Sequence, residues 1–340
     1  MVRIAAEEAW APPEILARYR KLLEEKPAAW DPGFHGLWGF FLRSPSQRAT
    51  ELIARIQDMG ARRLADMDAS GIARQLVFLT APGVQVFETD TATRLARECN
   101  DQLKDDVSRN PTRFAALAAI APQDPHAAGA ELERCVNKLQ FKGVVVNSHT
   151  QGEYLDDQKY WPIFEAAQAL DVPVYLHPNT PPPAMIGPFL ARGLEGAVYG
   201  FAVETGLHLL RLVFAGVFDR FPRLKLAVGH LGEGLPFWLF RIDFMHRAMV
   251  AAKRYDTVLP LKRKPSDYFK ENIWLTTSGM QWAPAIQFCI SVLGIERVLY
   301  AMDYPYQFVP EEVKVTDEMP MSEKDRDKLY RGNAEKLFKL

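Results

Sequence analysis

Eight short apolar segments, each followed by a stretch of helical periodicity, constrain the fold of this 340-residue chain more than any other feature. They fall at 2–6, 75–79, 114–120, 142–146, 173–176, 224–228, 272–275 and 297–302. Each is close to continuously apolar, the pattern of a strand covered on both faces. Amphipathic stretches at 46–69, 91–110, 125–139, 160–170, 204–221, 233–252 and 283–293 predict helices, and 322–340 predicts a closing one. Eight such alternations favour an α/β fold of the (β/α)8 barrel type over a doubly wound sheet. No repeat or low-complexity linker interrupts the pattern, so one domain spanning 1–340 is expected.

Composition narrows the function classes. A hydrophobic content of 48% with 24% charge is that of an ordinary globular chain. The formal net charge of −1 supplies no basic field for nucleic acid or an anionic membrane. No apolar run reaches the roughly 18 residues of a membrane span, and the amino terminus carries no secretion signal. Cys99, Cys135 and Cys289 lie far apart, outside any metal-ligand spacing. They read as reduced core thiols of a cytoplasmic protein.

Two connections exceed the usual length of a βα loop. One runs from Glu8 to about Arg43 and carries Trp10, Trp30, Phe34, Trp38, Phe40 and Phe41. The other runs from Pro178 to about Val203 and contains Pro181, Pro182 and Pro183. Both follow strand carboxyl ends, the catalytic side of such barrels, and predict substrate lids or subunit contacts.

The same rim collects metal-capable side chains. Glu7 ends the first strand, with Glu8 beside it facing the other way; His177 ends the fifth and Asp303 the eighth. Singly, each has a plain explanation: a paired carboxylate, a satisfied core histidine, a loop cap. Together at one end of three strands they make a ligand set. Strand 1 does not end in His-x-His, since position 9 is Ala9, and strand 4 ends Val146-Asn147-Ser148-His149 with no Lys to carry a bridging carbamate. One metal is therefore expected. Two carboxylates and one imidazole are hard enough ligands to make Mn²⁺ at least the equal of Zn²⁺.

His230, followed by Leu231-Gly232-Glu233, is a candidate fourth ligand, proton shuttle or hydrogen-bond donor to substrate, against a helix-capping role. Arg48 and Arg241 are candidates for binding a substrate carboxylate. The alternative for Arg241 is a structural pair with Asp243 or Asp66. His35, His126, His208 and His246 read as structural.

These residues carry a resemblance. The opening Ile4-Ala-Ala-Glu-Glu-Ala-Trp10, Leu176-His177-Pro178, Gly229-His230-Leu-Gly-Glu233 and Met302-Asp303-Tyr-Pro305 resemble the amidohydrolase superfamily. The similar branch is that of metal-dependent decarboxylases, which includes the aminocarboxymuconate semialdehyde and γ-resorcylate enzymes. Within it the chain is most similar to the 5-carboxyvanillate decarboxylases, at Arg63-Leu-Ala-Asp-Met-Asp-Ala69, Thr80-Ala-Pro-Gly-Val-Gln85 and Asn147-Ser-His-Thr-Gln-Gly152 among others. Ala9, where several relatives carry His, agrees with that group. The resemblance implies ligation of Mn²⁺ by Glu7, His177 and Asp303. It implies a substrate pocket lined by His230, Arg48, Thr80, Arg241 and Tyr306, and a small aromatic acid as partner, in a homo-oligomer of two or four copies.

The implied reaction is loss of CO₂ from an ortho-hydroxy aromatic acid, 5-carboxyvanillate first and γ-resorcylate or 2,3-dihydroxybenzoate as alternatives. Asp303 is the candidate acid that protonates the carboxyl-bearing carbon, with His230 assisting. A mononuclear hydrolase or lactonase, and a non-catalytic barrel that binds an aromatic acid, are the rival readings.

Overall fold

In the computed structural model, which describes residues 2–340, β-strands alternate with helices and every strand pair is parallel. The strands are β1 (Arg3–Trp10), β2 (Ile72–Leu79), β3 (Phe114–Ala116), β4 (Ala118–Ala119), β5 (Val144–Asn147), β6 (Val174–His177), β7 (Leu226–Val228), β8 (Ile273–Thr276) and β9 (Val298–Leu299). β3 pairs with β2 and β4 with β5, so the two are halves of one stave broken at Leu117. Hydrogen bonds from Ala6 N to Tyr300 O (2.9 Å) and Ala9 N to Tyr304 O (2.7 Å) join the last stave to the first. The result is the eight-staved (β/α)8 barrel.

Burial on both faces explains the continuous apolar runs. Ile4, Ala6, Leu76, Phe78, Leu117, Val145, Tyr175 and Ala227 fill the barrel interior, and Leu337 and Phe338 pack against that cluster. Their neighbours Ala5, Val77, Val144, Val146, Val174, Leu176, Val228 and Leu275 belong to the outer core under the helices. The β1–β2 register shifts between Arg3 and Ile4 and again between Ala5 and Glu8, and the second shift shapes the site. Ala5 pairs with Gln75 and Glu8 with Val77, so three steps on β1 match two on β2. Such a bulge re-aims side chains: Ala6 remains in the interior cluster, Glu7 turns to the rim site, and Glu8 takes its place beside Val77 of the outer layer.

Three expectations need correction. The connection from Glu8 to Arg43 is not a loop but two helices, Pro13–Glu25 and Pro32–Arg43, the second capped by Asp31 through Phe34 N (2.9 Å). Its Phe34, Trp38 and Phe41 form one buried stripe, at the spacing that fixes a helix to a core. The connection after His177 likewise holds a helix, Pro183–Leu190. The single helix expected at 46–69 is two, Gln47–Gln57 and Ala61–Ala69, because Asp58 Oδ1 accepts from Gly60 N and Arg63 N and so starts a new helix. No helix among the described residues is long and apolar enough to cross a membrane.

Candidate metal centre and substrate cavity

Four ionisable side chains, carried by four different staves or the turns that follow them, meet at the carboxyl rim. Donor atoms of Glu7, His230 and Asp303 all lie within 4.8 Å of one another. His177, expected in the ligand set, joins through Glu7 alone: its Nε2 stands 3.7 Å from Glu7 Oε1. His230 Nε2 stands 3.8 Å from the same oxygen.

Each side chain is aimed by its surroundings. Glu7 Oε2 accepts from Thr276 Oγ1 at 2.6 Å and from the Tyr175 hydroxyl. Glu7 Oε1 is buried with no hydrogen-bond partner among the described residues. A buried, partnerless carboxylate oxygen is costly unless a cation or donor reaches it. His177 Nδ1 donates to Pro178 O at 2.9 Å and His230 Nδ1 to Glu233 Oε1 at 2.8 Å. His177 is thereby fixed in the tautomer whose free Nε2 lone pair faces Glu7, and His230 is turned with its Nε2 toward the same oxygen. Gly229 leaves room for Glu7, since a Cβ there would lie 2.8 Å from each carboxylate oxygen. The donor set thus fits one divalent cation: hard oxygens, the free imidazole nitrogen of His177 and an orphaned charge.

Electrostatics divide the four groups. Burial, with His230 close by, pushes His177 down to about 4 despite the attraction of Glu7, so it is neutral at pH 7. Burial opposes charge on His230 too, but Glu233, Glu7 and Asp303 together raise it to about 10. Asp303 is pushed up to about 7 by burial and by Glu7 and Glu233, with His230 opposing.

Above the cluster opens a cavity of about 730 Å³. His177, His230, Asp303, Thr80, Tyr306 and Arg48 line it, as do Leu37 and Phe41 of the aromatic helix Pro32–Arg43. Thr80 Oγ1 and the Tyr306 hydroxyl are 2.5 Å apart, and burial raises the Tyr306 phenol well above its ordinary value, so it stays protonated. Arg48 Nη2 reaches Tyr306 O at 3.5 Å. Arg55 also lines the cavity but is paired with Glu51 (3.1 Å) and Asp66 (3.0 Å). Arg48 forms no ion pair among the described residues.

The expectation for Arg241 is not met within this chain. Its helix, Leu235–Ala251, turns that face outward: Arg241 is exposed, over the Trp238 ring at 5.9 Å, and does not line the cavity. Residue spacing identified the helix but not the direction of its face. His208 and His246 are structural as expected. His208 meets Ser148 Oγ (3.1 Å) and Leu155 N (3.0 Å), and His246 bonds Leu259 O (3.0 Å). Tyr175 and Thr276, which hold Glu7, escaped the sequence reading. Tyr175 lies two residues before His177 on one strand, a same-face spacing that could have identified it.

The amidohydrolase family model matches residues 51–340. The γ-resorcylate decarboxylase of a Polaromonas species is 40% identical over 304 residues, covering 87% of this chain and 92% of that protein. The structure of 5-carboxyvanillate decarboxylase from Novosphingobium aromaticivorans, complexed with manganese and 4-hydroxy-3-methoxy-5-nitrobenzoic acid, is 48% identical with a TM-score of 0.97; the match covers 100% of this chain and 96% of that one. A 2,6-dihydroxybenzoate decarboxylase, solved in complex with 2,6-dihydroxybenzoate, is 36% identical with a TM-score of 0.87 over 100% of both chains. With the family model spanning most of its length and relatives of this likeness, the chain belongs to the amidohydrolase family, in its branch of decarboxylases.

Proposed function

We propose that this protein is a manganese-dependent, non-oxidative decarboxylase of an ortho-hydroxy aromatic acid, converting 5-carboxyvanillate to vanillate and CO₂. The reading rests on the orphaned Glu7 oxygen between the Nε2 atoms of His177 and His230, at the base of a cavity that would take an aromatic acid. Glu7, His177 and Asp303 would hold one divalent ion, with His230 facing the same space. When bound, the ion would supply positive charge for an anionic substrate.

Direct loss of CO₂ from an aryl carboxylate would leave an unstable aryl anion. Protonating the carboxyl-bearing carbon first avoids it, and CO₂ then departs as aromaticity returns. Asp303, which faces the cavity beside the ligand set, is the group that would carry that proton. His230, held at Nδ1 by Glu233 and lining the cavity, would donate from Nε2 to the anionic oxygens of the substrate. Thr80 and Tyr306 present hydroxyl donors to the ring substituents. The helix Pro32–Arg43 excludes water from one side.

The unpaired guanidinium of Arg48 favours a second anionic group on the substrate, as 5-carboxyvanillate has. A hydroxybenzoate with one carboxylate, γ-resorcylate or 2,3-dihydroxybenzoate, is the second reading, favoured by the 40% identical relative. A panel of these acids in D₂O, scored by CO₂ release and by deuterium at the vacated ring position, decides. Turnover of benzoates lacking the ortho hydroxyl, or a ring-opened product, would defeat the reading.

We also propose that the 340 residues form one domain, acting in the cytoplasm, where the three buried free thiols stay reduced. A second copy of the chain would cover Phe237 and Phe240, which are 71% and 88% exposed on the helix Leu235–Ala251. Light scattering of the eluted protein tests the homo-oligomer; a monomer at micromolar concentration rejects it.

A further inference from the structure

Asp303 is held in an unusual way. Its φ of 63° lies in the left-handed region, which is costly for most residues, although Asp tolerates it better. It follows the short β9, where the last stave must stop running as a strand and present a carboxyl to the rim. Where a strand stops, amide groups lose their ladder partners and need another acceptor.

That acceptor is Glu8. Its Oε1 accepts from Met302 N at 3.0 Å and its Oε2 from Tyr304 N at 3.1 Å, so one carboxylate takes the two amides that flank Asp303. We propose that Glu8 is a positioning residue: bracketing Met302 and Tyr304, it locks Asp303 in the left-handed turn that aims its carboxyl at Glu7 and His230.

The rest of the environment supports a fixed clamp. Glu8 is fully buried, and Gln75 Nε2 approaches its Oε2 at 3.4 Å. Arg63, also fully buried, donates from Nε to Gln75 Oε1 (2.7 Å) and from Nη2 to Ala9 O (3.0 Å). The same guanidinium lies 4.6 Å from the centre of the Tyr304 ring, and the Tyr304 hydroxyl donates to Asp66 Oδ2 at 3.0 Å. Tyr304 is therefore held at its amide, its ring and its hydroxyl, and Asp303 hangs from it. The bulge in β1 places Glu7 on the site side and Glu8 on the clamp side, so consecutive carboxylates aim and hold the two ends of one cluster.

The inference rests on the metal reading above, and its test separates the two. Mn²⁺ affinity is measured by competition with a chelator for wild type, Glu8→Gln, Asp303→Asn and the double variant, alongside melting curves. Glutamine keeps the shape but offers an NH₂ where one backbone amide needs an acceptor. Glu8→Gln is expected to remain folded and to bind Mn²⁺ at least tenfold more weakly. In the Asp303→Asn background the same change is expected to cost less than threefold, because Glu8 acts through Asp303. Unchanged affinity in folded Glu8→Gln, or an equal loss in both backgrounds, overturns the clamp while leaving the metal site standing. Wild type that binds no Mn²⁺ overturns both. If Glu8→Gln fails to fold, an ester in place of the Tyr304 amide removes one clamped N–H and alters no side chain. It should weaken Mn²⁺ at least threefold, and wild-type affinity would overturn the clamp.

Discussion

Glu7 Oε1 stands 3.7 Å from His177 Nε2, too far for a hydrogen bond and about the span of two donors that share one ion at about 2.1 Å each. Nothing within the described chain satisfies that oxygen. The first prediction follows from it. The purified protein should carry about one divalent metal per chain, and chelation should abolish decarboxylation, with Mn²⁺ restoring it best. Elemental analysis finding two tightly held metals per chain would refute the single-ion site.

Gly229→Ala tests the geometry without removing a ligand. The backbone there (φ −71°) accepts alanine without strain, yet the new methyl would meet both Glu7 oxygens at 2.8 Å. A carboxylate displaced by about 1 Å costs on the order of a hundredfold in turnover. The melting curve of the variant should stay close to wild type. Normal turnover in Gly229→Ala would mean that the placement of Glu7 is not critical.

Arg48→Met should weaken binding of a dicarboxylated substrate by about 1.5–3 kcal/mol, the worth of a charge-assisted hydrogen bond. Binding of an ortho-hydroxybenzoate with a single carboxylate should change far less. Equal losses for both acids, measured by titration of an inactive variant, would deny Arg48 its role as the second anion site.

Stability of the metal-free protein should fall as pH rises above about 6.5. His230 is raised to about 10 in the fold, so its favourable contribution is complete below its unfolded value of about 6.5 and fades as pH climbs toward 10. Buried Glu204, lifted to about 8 mainly by desolvation, binds its proton more tightly in the fold, which adds to the fall up to pH 8. His177, lowered to about 4, works in the opposite direction, but only below 6.5. Melting temperatures of chelated protein across pH 6.5–9 test the sum; a flat or rising profile contradicts it.

Much of the fold was legible because buried parallel strands write themselves as apolar runs, and the rim carboxylates and imidazoles stand out against them. What was not legible shows where sequence pattern stops. The aromatic segment 32–43 looked like a loop because Gly33, Gly36 and Gly39 hid its helical stripe, although Asp31 and Pro32 are a helix start. The bulge between Ala5 and Glu8 leaves no mark in composition, yet it decides which glutamate faces the site. Arg241 interrupts an apolar face, but that face turns to solvent, a fact set by tertiary packing. The importance of Glu233 and Tyr175 is that of partners to other residues, and partnership between distant strands is not written in either one.

The donors at the rim are separated by almost the whole polypeptide, from Glu7 on the first stave to Asp303 after the last, across the seam where Ala6 meets Tyr300. An ion gripping both sides of that seam behaves as a clasp on a hoop. A ribosome-bound chain cannot fasten it until residue 303 has emerged, so loading would have to wait until both sides of the seam have been made. A fragment lacking either side of the hoop should not retain the ion.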